Sequence, residues 1–256
     1  MHASWSKSML PFLGALFLLQ VSLIGQAHAS GQPVEYRVGE EPFEGYFIPA
    51  SGVASAPLVL LVHDWDGLND YEIRRAQMLS AVGYSVFAVD LFGKDQRPDT
   101  VPERVAATRA LYDDRERMRA LLQGALAAAE AQGAPLDRTV AMGYCFGGAV
   151  VLELARSGAP LQGFVSFHGG LATPDGQSHA QTQGSVLILH GTADASISMQ
   201  EFAQLAAELE QHGIPHEMIT YSGAPHAFTV FGSDRYREEA DRKSWARFLE
   251  YLRETF

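Results

Sequence analysis

The chain is nearly devoid of cysteine: Cys145 is alone among 256 residues. No internal disulfide can form, and zinc sites built on paired cysteines are excluded. Positive charge is also in deficit, with 19 Lys and Arg against 30 Asp and Glu, a net charge of −11. Nucleic acid and anionic membrane surfaces both demand a positive face, so the balance argues against either as a partner. The sequence has no glycine-rich phosphate loop, no internal repeat, no low-complexity run and no linker that would divide it. Nothing in the pattern specifies an oligomeric state.

What is present begins with a targeting pattern. Residues 1–7 are short and carry one positive charge, Lys7. Residues 9–25 form an apolar run interrupted at Pro11 and Gln20, and Ala27-His28-Ala29 reads as a small-residue cleavage site. This predicts a cleaved signal peptide over 1–29 and an exported protein, periplasmic or secreted, with no stable membrane span after cleavage. The 227 residues of 30–256 suit a single domain with a full core. A lone thiol in an exported chain is either an intermolecular link or a reactive group.

The surroundings of that thiol favour reactivity. Gly143-Tyr144-Cys145-Phe146-Gly147-Gly148 lies between the apolar runs Val140–Met142 and Ala149–Leu152. Strand, one reactive side chain between glycines, then helix is the pattern of a nucleophile elbow, with cysteine where serine is usual. The glycines are expected because side chains on either flank would strike the adjoining strand and helix. The helix N-terminus is expected to favour a thiolate. The plainer reading is a buried cysteine in a tight turn, acting as a small hydrophobe.

An elbow of this type is followed in chain order by an acid and a histidine. Asp194 stands three residues beyond Gly191, after the apolar run Ser185–His190. His226 stands in Ser222-Gly223-Ala224-Pro225-His226-Ala227-Phe228, after the run His216–Tyr221. A loop histidine on a rigid scaffold is free to reach the elbow. Backbone donors for an oxyanion are expected from Phe146, the residue after the nucleophile, and from Trp65 in the turn after an earlier strand. Trp65, Phe92, Tyr144, Phe146, Phe228 and Phe231 are candidates to line an apolar pocket, with ordinary core packing as the plainer reading, and His63 is a candidate beside them or a hydrogen-bond donor to a rim loop. The histidines at strand ends lie on separate strands without short ligand spacing, so no metal site and no cofactor are expected.

The rest alternates between strand and helix patterns, which predicts an α/β architecture: a mostly parallel central sheet with helices on both faces. Residues 34–38 and 44–48 read as an opening antiparallel pair. Residues 58–62, 84–89, 140–142, 161–167, 185–190 and 216–221 read as core strands, and 73–81 as a helix. A capping box at Thr100–Glu103 opens a helical stretch with Met118, Leu121, Leu122 and Ala125 on one face. A second box at Ser198–Glu201 precedes the stripe Phe202, Leu205, Leu209, which Gly213 stops. The last helix is expected to bury Trp245, Phe248, Leu249 and Leu252. Ligands of open α/β sheets bind at the carboxyl ends of strands, where His63, Asp64, Cys145, His168, His190 and Asp194 all fall.

Gly-Tyr-Cys-Phe-Gly-Gly at 143–148, His-Gly-Thr-Ala-Asp at 190–194, Gly-Ala-Pro-His-Ala-Phe at 223–228 and His-Asp-Trp-Asp-Gly-Leu-Asn at 63–69 together resemble the dienelactone hydrolase family of α/β-hydrolases. The resemblance runs from about Glu35 to the C-terminus. It implies the α/β-hydrolase fold, a Cys145–His226–Asp194 triad and hydrolysis of a small ester or lactone through a thioacyl-enzyme. It also implies that an acidic residue after the first core strand keeps the resting thiol neutral. The family has glutamate there, and this chain has Asp64, one methylene shorter. The family's substrate-binding arginine, four residues past the histidine, is Val230 here. Two further readings stay open: a thioesterase or peptidase-like enzyme on the same triad, and a binding or thiol-responsive module without turnover. A redox protein would need a resolving cysteine, which the chain lacks.

Overall fold

A computed structural model describes residues 1–2, 30–53 and 55–256. Almost all of the expected signal peptide, and its cleavage site, lie outside the described residues. Eight strands form one sheet: β1 (Gln32–Val38), β2 (Glu41–Ile48), β3 (Leu58–Val62), β4 (Ser85–Val89), β5 (Thr139–Tyr144), β6 (Gly163–Phe167), β7 (Ser185–Gly191) and β8 (His216–Tyr221). Their spatial order is β1-β2-β4-β3-β5-β6-β7-β8. β1 pairs antiparallel with β2, and β2 with β4; every other pairing is parallel.

The parallel centre follows from composition. β3 reads Leu-Val-Leu-Leu-Val, and all five residues are buried. A strand covered on both faces needs such a continuous apolar run. Successive side chains go to opposite faces: Leu58, Leu60 and Val62 join one core, Val59 and Leu61 the other. Helices α3 (Arg115–Ala131), α4 (Phe146–Arg156) and α5 (Met199–Gln211) cover the first face, through Met118, Leu122, Val150, Leu205 and Leu209. Helices α1 (Asp70–Ala81) and α6 (Glu238–Thr255) cover the second, through Ala76, Leu79, Phe248 and Leu252. Truncating a residue as enclosed as Leu60 to alanine costs roughly 2–5 kcal/mol.

Four details differ from the sequence pattern. Helix α1 begins at Asp70 rather than Ile73, because Asn69 and Glu72 form a third capping box. The stretch after Thr100 is two helices, α2 (Val101–Asp113) and α3, because the Asp114 carboxylate accepts the Arg117 N–H and restarts the helix. β6 begins at Gly163, two residues late. Trp245 and Leu249 are only partly buried beside Phe248 and Leu252.

Parallel strands end at a common rim. β3, β5, β6 and β7 therefore deliver His63 and Asp64, Cys145, His168 and Asp194 to one side of the sheet. Among the described residues, no helix is long and apolar enough to cross a membrane.

Candidate active site

β5 runs straight into α4, and Cys145 is the turn between them. Its backbone has φ +50° and ψ −111°, a region L-residues avoid at a cost of about 1–3 kcal/mol. The turn is held from both sides: Cys145 N–H donates to Phe167 C=O at 3.0 Å, while its own C=O accepts from Gly148 and Ala149. A Cβ on Gly143 would overlap the Gly147 backbone, and one on Gly147 would overlap the carbonyls of Val62 and His63. The glycines flanking the cysteine are thus required by close approach, as expected.

His226 reaches the elbow from its loop. Its Nε2 lies 3.0 Å from Cys145 Sγ, and its Nδ1 lies 2.8 Å from Asp194 Oδ2. The other oxygen of Asp194 accepts the N–H groups of Ser196 and Ile197 at 2.8 and 2.9 Å. Burial alone would raise the pKa of Asp194. The His226 hydrogen bond and the two N–H donors outweigh it and hold the carboxyl below the usual range. An ionised carboxylate only accepts, which assigns the proton to Nδ1 and leaves Nε2 as an acceptor facing the thiol.

Asp64 also reaches the sulfur. The Asp64 carboxyl hydrogen-bonds the Cys145 thiol and also accepts the Trp65 N–H. The shorter side chain reaches because its backbone is clamped. Glu72 Oε1 accepts the Asp64 N–H at 3.2 Å, and His63 Nδ1 bonds the Asp64 carbonyl. Burial raises Asp64 to about 6; burial and the Asp64 charge raise Glu72 to about 8. Burial, followed by the charge and hydrogen bond of Asp64, pushes the Cys145 thiol well above its ordinary value. Both effects oppose the thiolate that the helix N-terminus is expected to favour, in the direction expected of an acid after the first core strand.

The other named residues fall differently. The Phe146 N–H hydrogen-bonds the sulfur. Trp65 N–H is occupied by Asp64 and is available to a substrate oxygen only if that carboxyl turns away. His63, Tyr144 and Phe228 do not line a pocket: each is fully enclosed. His63 accepts the Leu91 N–H through Nε2, Tyr144 lies against Phe167 and Tyr71, and Phe228 lies against His168 and Tyr221. His190 stacks on Phe202 within the core. Among the described residues, no group of three or more His, Cys, Asp or Glu is arranged to hold a metal.

Trp65 and Phe92, two other rings expected at a pocket, are partly buried near the elbow, and Tyr112 joins them. Tyr112 has no sequence signal: it sits near the end of α2, in a stretch with no motif of its own. Its ring meets Phe146 edge-on at 5.3 Å, and burial pushes its phenol up. A cleft of 860 Å³ lined by Gln162, Ser185, His216 and Arg247 opens at the other end of the strands and touches none of these groups.

Comparison with known proteins gives the family and the fold. The model of the dienelactone hydrolase family matches residues 43–256. A Bradyrhizobium protein described as a "probable 2-oxo-3-(5-oxofuran-2-ylidene)propanoate lactonase" is 28% identical over 207 residues, which cover 77% of this chain and 83% of that one. The crystal structure of a dienelactone hydrolase-like promiscuous phosphotriesterase from metagenomic libraries is 30% identical, with a TM-score of 0.83, covering 90% of this chain and 99% of that one. An acylaminoacyl peptidase of Pyrococcus horikoshii shares the fold alone, at 14% identity and a TM-score of 0.70, covering 90% of this chain and 42% of that one. The architecture is that of the α/β-hydrolases.

Proposed function

The chain belongs to the dienelactone hydrolase family, and from that premise we propose that it hydrolyses a small carboxylic ester or lactone through a thioacyl-enzyme on Cys145. The observation that carries this reading is the single histidine bridging sulfur and carboxylate, 3.0 Å from Sγ and 2.8 Å from Asp194. Nucleophile, base and orienting acid within hydrogen-bond reach is the arrangement covalent acyl transfer needs.

The substrate carbonyl carbon meets Sγ, and its oxygen points at the Phe146 N–H. As Asp64 turns from the sulfur, it frees the Trp65 N–H to be the second donor and releases the thiol to His226. Sγ attacks, and the thiol proton passes to Nε2. Asp194 stabilises the imidazolium. The tetrahedral intermediate collapses, Nε2 returns the proton to the leaving alkoxide oxygen, and a thioester remains. In a lactone the alkoxide stays tethered to the acyl group. Water then gives a proton to Nε2 and attacks the thioester, and the acid leaves as the thiol re-forms. Each lost oxyanion donor costs about 3 kcal/mol in comparable systems.

Val230 puts no cation where the family arginine stands, so that anchor for a substrate carboxylate is missing. Uncharged esters and lactones fit the reading better than acidic ones. Phosphotriesters are a second substrate class, favoured by the 30% identical phosphotriesterase. Residues 1–29 support export to the periplasm or beyond, with residues 30–256 acting as one domain.

The test is acyl-enzyme trapping on residues 30–256 under reducing conditions. Activated aryl ester, thioester, amide and phosphotriester are compared, with intact mass to locate any adduct. Ester turnover lost in Cys145→Ala and His226→Ala, with an adduct on Cys145, is the expected result. Unchanged turnover in Cys145→Ala would remove the nucleophile. Preference for the thioester or amide would move the enzyme to the alternative acyl donors.

A further inference from the structure

Behind His226 lies a buried polar cluster that the chemistry above does not use. Its centre is Thr229, three residues past the histidine and fully enclosed. The Thr229 hydroxyl lies 2.7 Å from the Tyr71 hydroxyl and 2.7 Å from His168 Nε2. The Thr229 carbonyl accepts from Arg75 Nη2 at 2.9 Å. Arg75 is itself ion-paired with Asp241, both nearly enclosed, and Asp241 accepts the Tyr236 hydroxyl. Helix α1, helix α6 and the turn after β6 thus converge on one threonine of the histidine loop.

Arg75 Nε donates to the Tyr71 oxygen, and the Tyr71 hydroxyl, the Thr229 hydroxyl and His168 Nε2 continue the row of hydrogen bonds. The His168 ring then meets His226 edge-on, with centroids 5.5 Å apart. The backbone at this contact is strained on both sides: His168 has φ +42°, and Ala227, next to the histidine, has φ +61°. Apolar residues of similar volume would fill such a space at equal or greater stability, because enclosing a guanidinium and three polar rings or hydroxyls is costly. Strained backbone persists only where its surroundings over-determine it. The directed bonds that converge on Thr229 supply that constraint.

We propose that Thr229 is the positioning residue of the active-site histidine, its hydroxyl bridging Tyr71 and His168 so that the loop and the His168 ring hold the His226 imidazole between Cys145 and Asp194. The inference rests on the reading of His226 as the catalytic base. His226 acts in both acylation and deacylation, so misplacing it slows both, while substrate binding is unaffected. A displacement of about 1 Å in a catalytic group can cost ~100-fold.

The experiment compares wild type with Thr229→Val, Thr229→Ser and Tyr71→Phe, with His226→Ala as reference. Pre-steady-state and steady-state ester hydrolysis are read on 30–256, well below each variant's melting temperature. Thr229→Val, which keeps shape and loses the hydroxyl, lowers kcat by about tenfold or more in both half-reactions, with KM within about twofold. Thr229→Ser restores most of the rate, and Tyr71→Phe gives a smaller loss of kcat. A structural role alone would lower melting temperature and leave kcat in place. If Thr229→Val does not fold, Tyr71→Phe decides by the same criterion. The proposal is overturned if the folded variants keep wild-type kcat while His226→Ala is inactive. Normal turnover in His226→Ala would overturn the proposed function itself, and this inference with it.

Discussion

Asp64 follows β3 and Asp194 follows β7; both stand at the same rim and both reach the Cys145–His226 pair. Asp194 receives two backbone N–H bonds and the imidazole, and its carboxyl is held below the usual range. Asp64 receives one short bond from its neighbour Trp65, and burial, with the charge of Asp66 behind it, raises it to about 6. The two are chemically identical, and what separates them is the count of donors supplied against the cost of burial. Groups whose environments push their pKa values apart mark separate roles. Asp194 is fixed as a charge that orients a base. Asp64 is poised to give up its charge or move, and so can gate the nucleophile.

The sharpest way to break this contrast is Asp194→Asn. An amide presents donors as well as an acceptor and favours the wrong imidazole tautomer. kcat/KM on an aryl ester is expected to fall about 10³–10⁴-fold, the scale seen when the acid of a triad is so altered. A loss below about tenfold would mean that Asp194 does not orient the base, and the two aspartates would no longer differ in kind.

The parts of this arrangement visible in the sequence are those encoded locally. The β3 strand is visible as an unbroken apolar run, the elbow as glycines around one cysteine, and the Ser198–Glu201 box as an N-cap with its partner three residues on. The Asn69–Glu72 box has the same spacing, yet Glu72 is also enclosed beneath Asp64, and that second role depends on α1 lying across the end of β3. Tyr112 and Thr229 lie 33 and 84 residues from Cys145 and reach the site only through space. His63, Tyr144 and Phe228 are not pocket residues for a related reason. A ring at a strand end looks the same in sequence whether it faces a cleft or is capped by a helix, and here the core closes over all three.

A smaller effect tests Asp64 through stability. Its carboxyl rises from the usual 3.8 to about 6, so the folded state binds this proton more tightly than the unfolded chain. The sign follows from linkage: the resulting stabilisation is fully present below about pH 4 and is lost as pH rises through about 6. At pH 7.5 the wild type is therefore about 3 kcal/mol worse off at this group than in acid. Asp64→Asn carries no such charge and also relieves the neighbouring Glu72. The variant is expected to exceed wild type in urea midpoint at pH 7.5 and to lose that advantage by pH 4. An advantage independent of pH would show that Asp64 is not the strained carboxylate.

The smallest effect is on the thiol itself. The Asp64 charge and hydrogen bond follow burial as causes of the raised Cys145 pKa, so Asp64→Asn should increase the thiolate fraction at neutral pH. The added thiolate is less basic and so a weaker nucleophile, with a Brønsted slope of ~0.5, so alkylation by iodoacetamide at pH 7.5 should rise by less than the thiolate fraction does. Asp194→Asn also removes a negative charge that raises the thiol, but it loses the partner that orients the His226 imidazole against the sulfur, so it should gain less than Asp64→Asn. A larger gain from Asp64→Asn than from Asp194→Asn would separate gate from anchor. A fall in both would make Asp64 a second support for the nucleophile, and the raised thiol would need another cause.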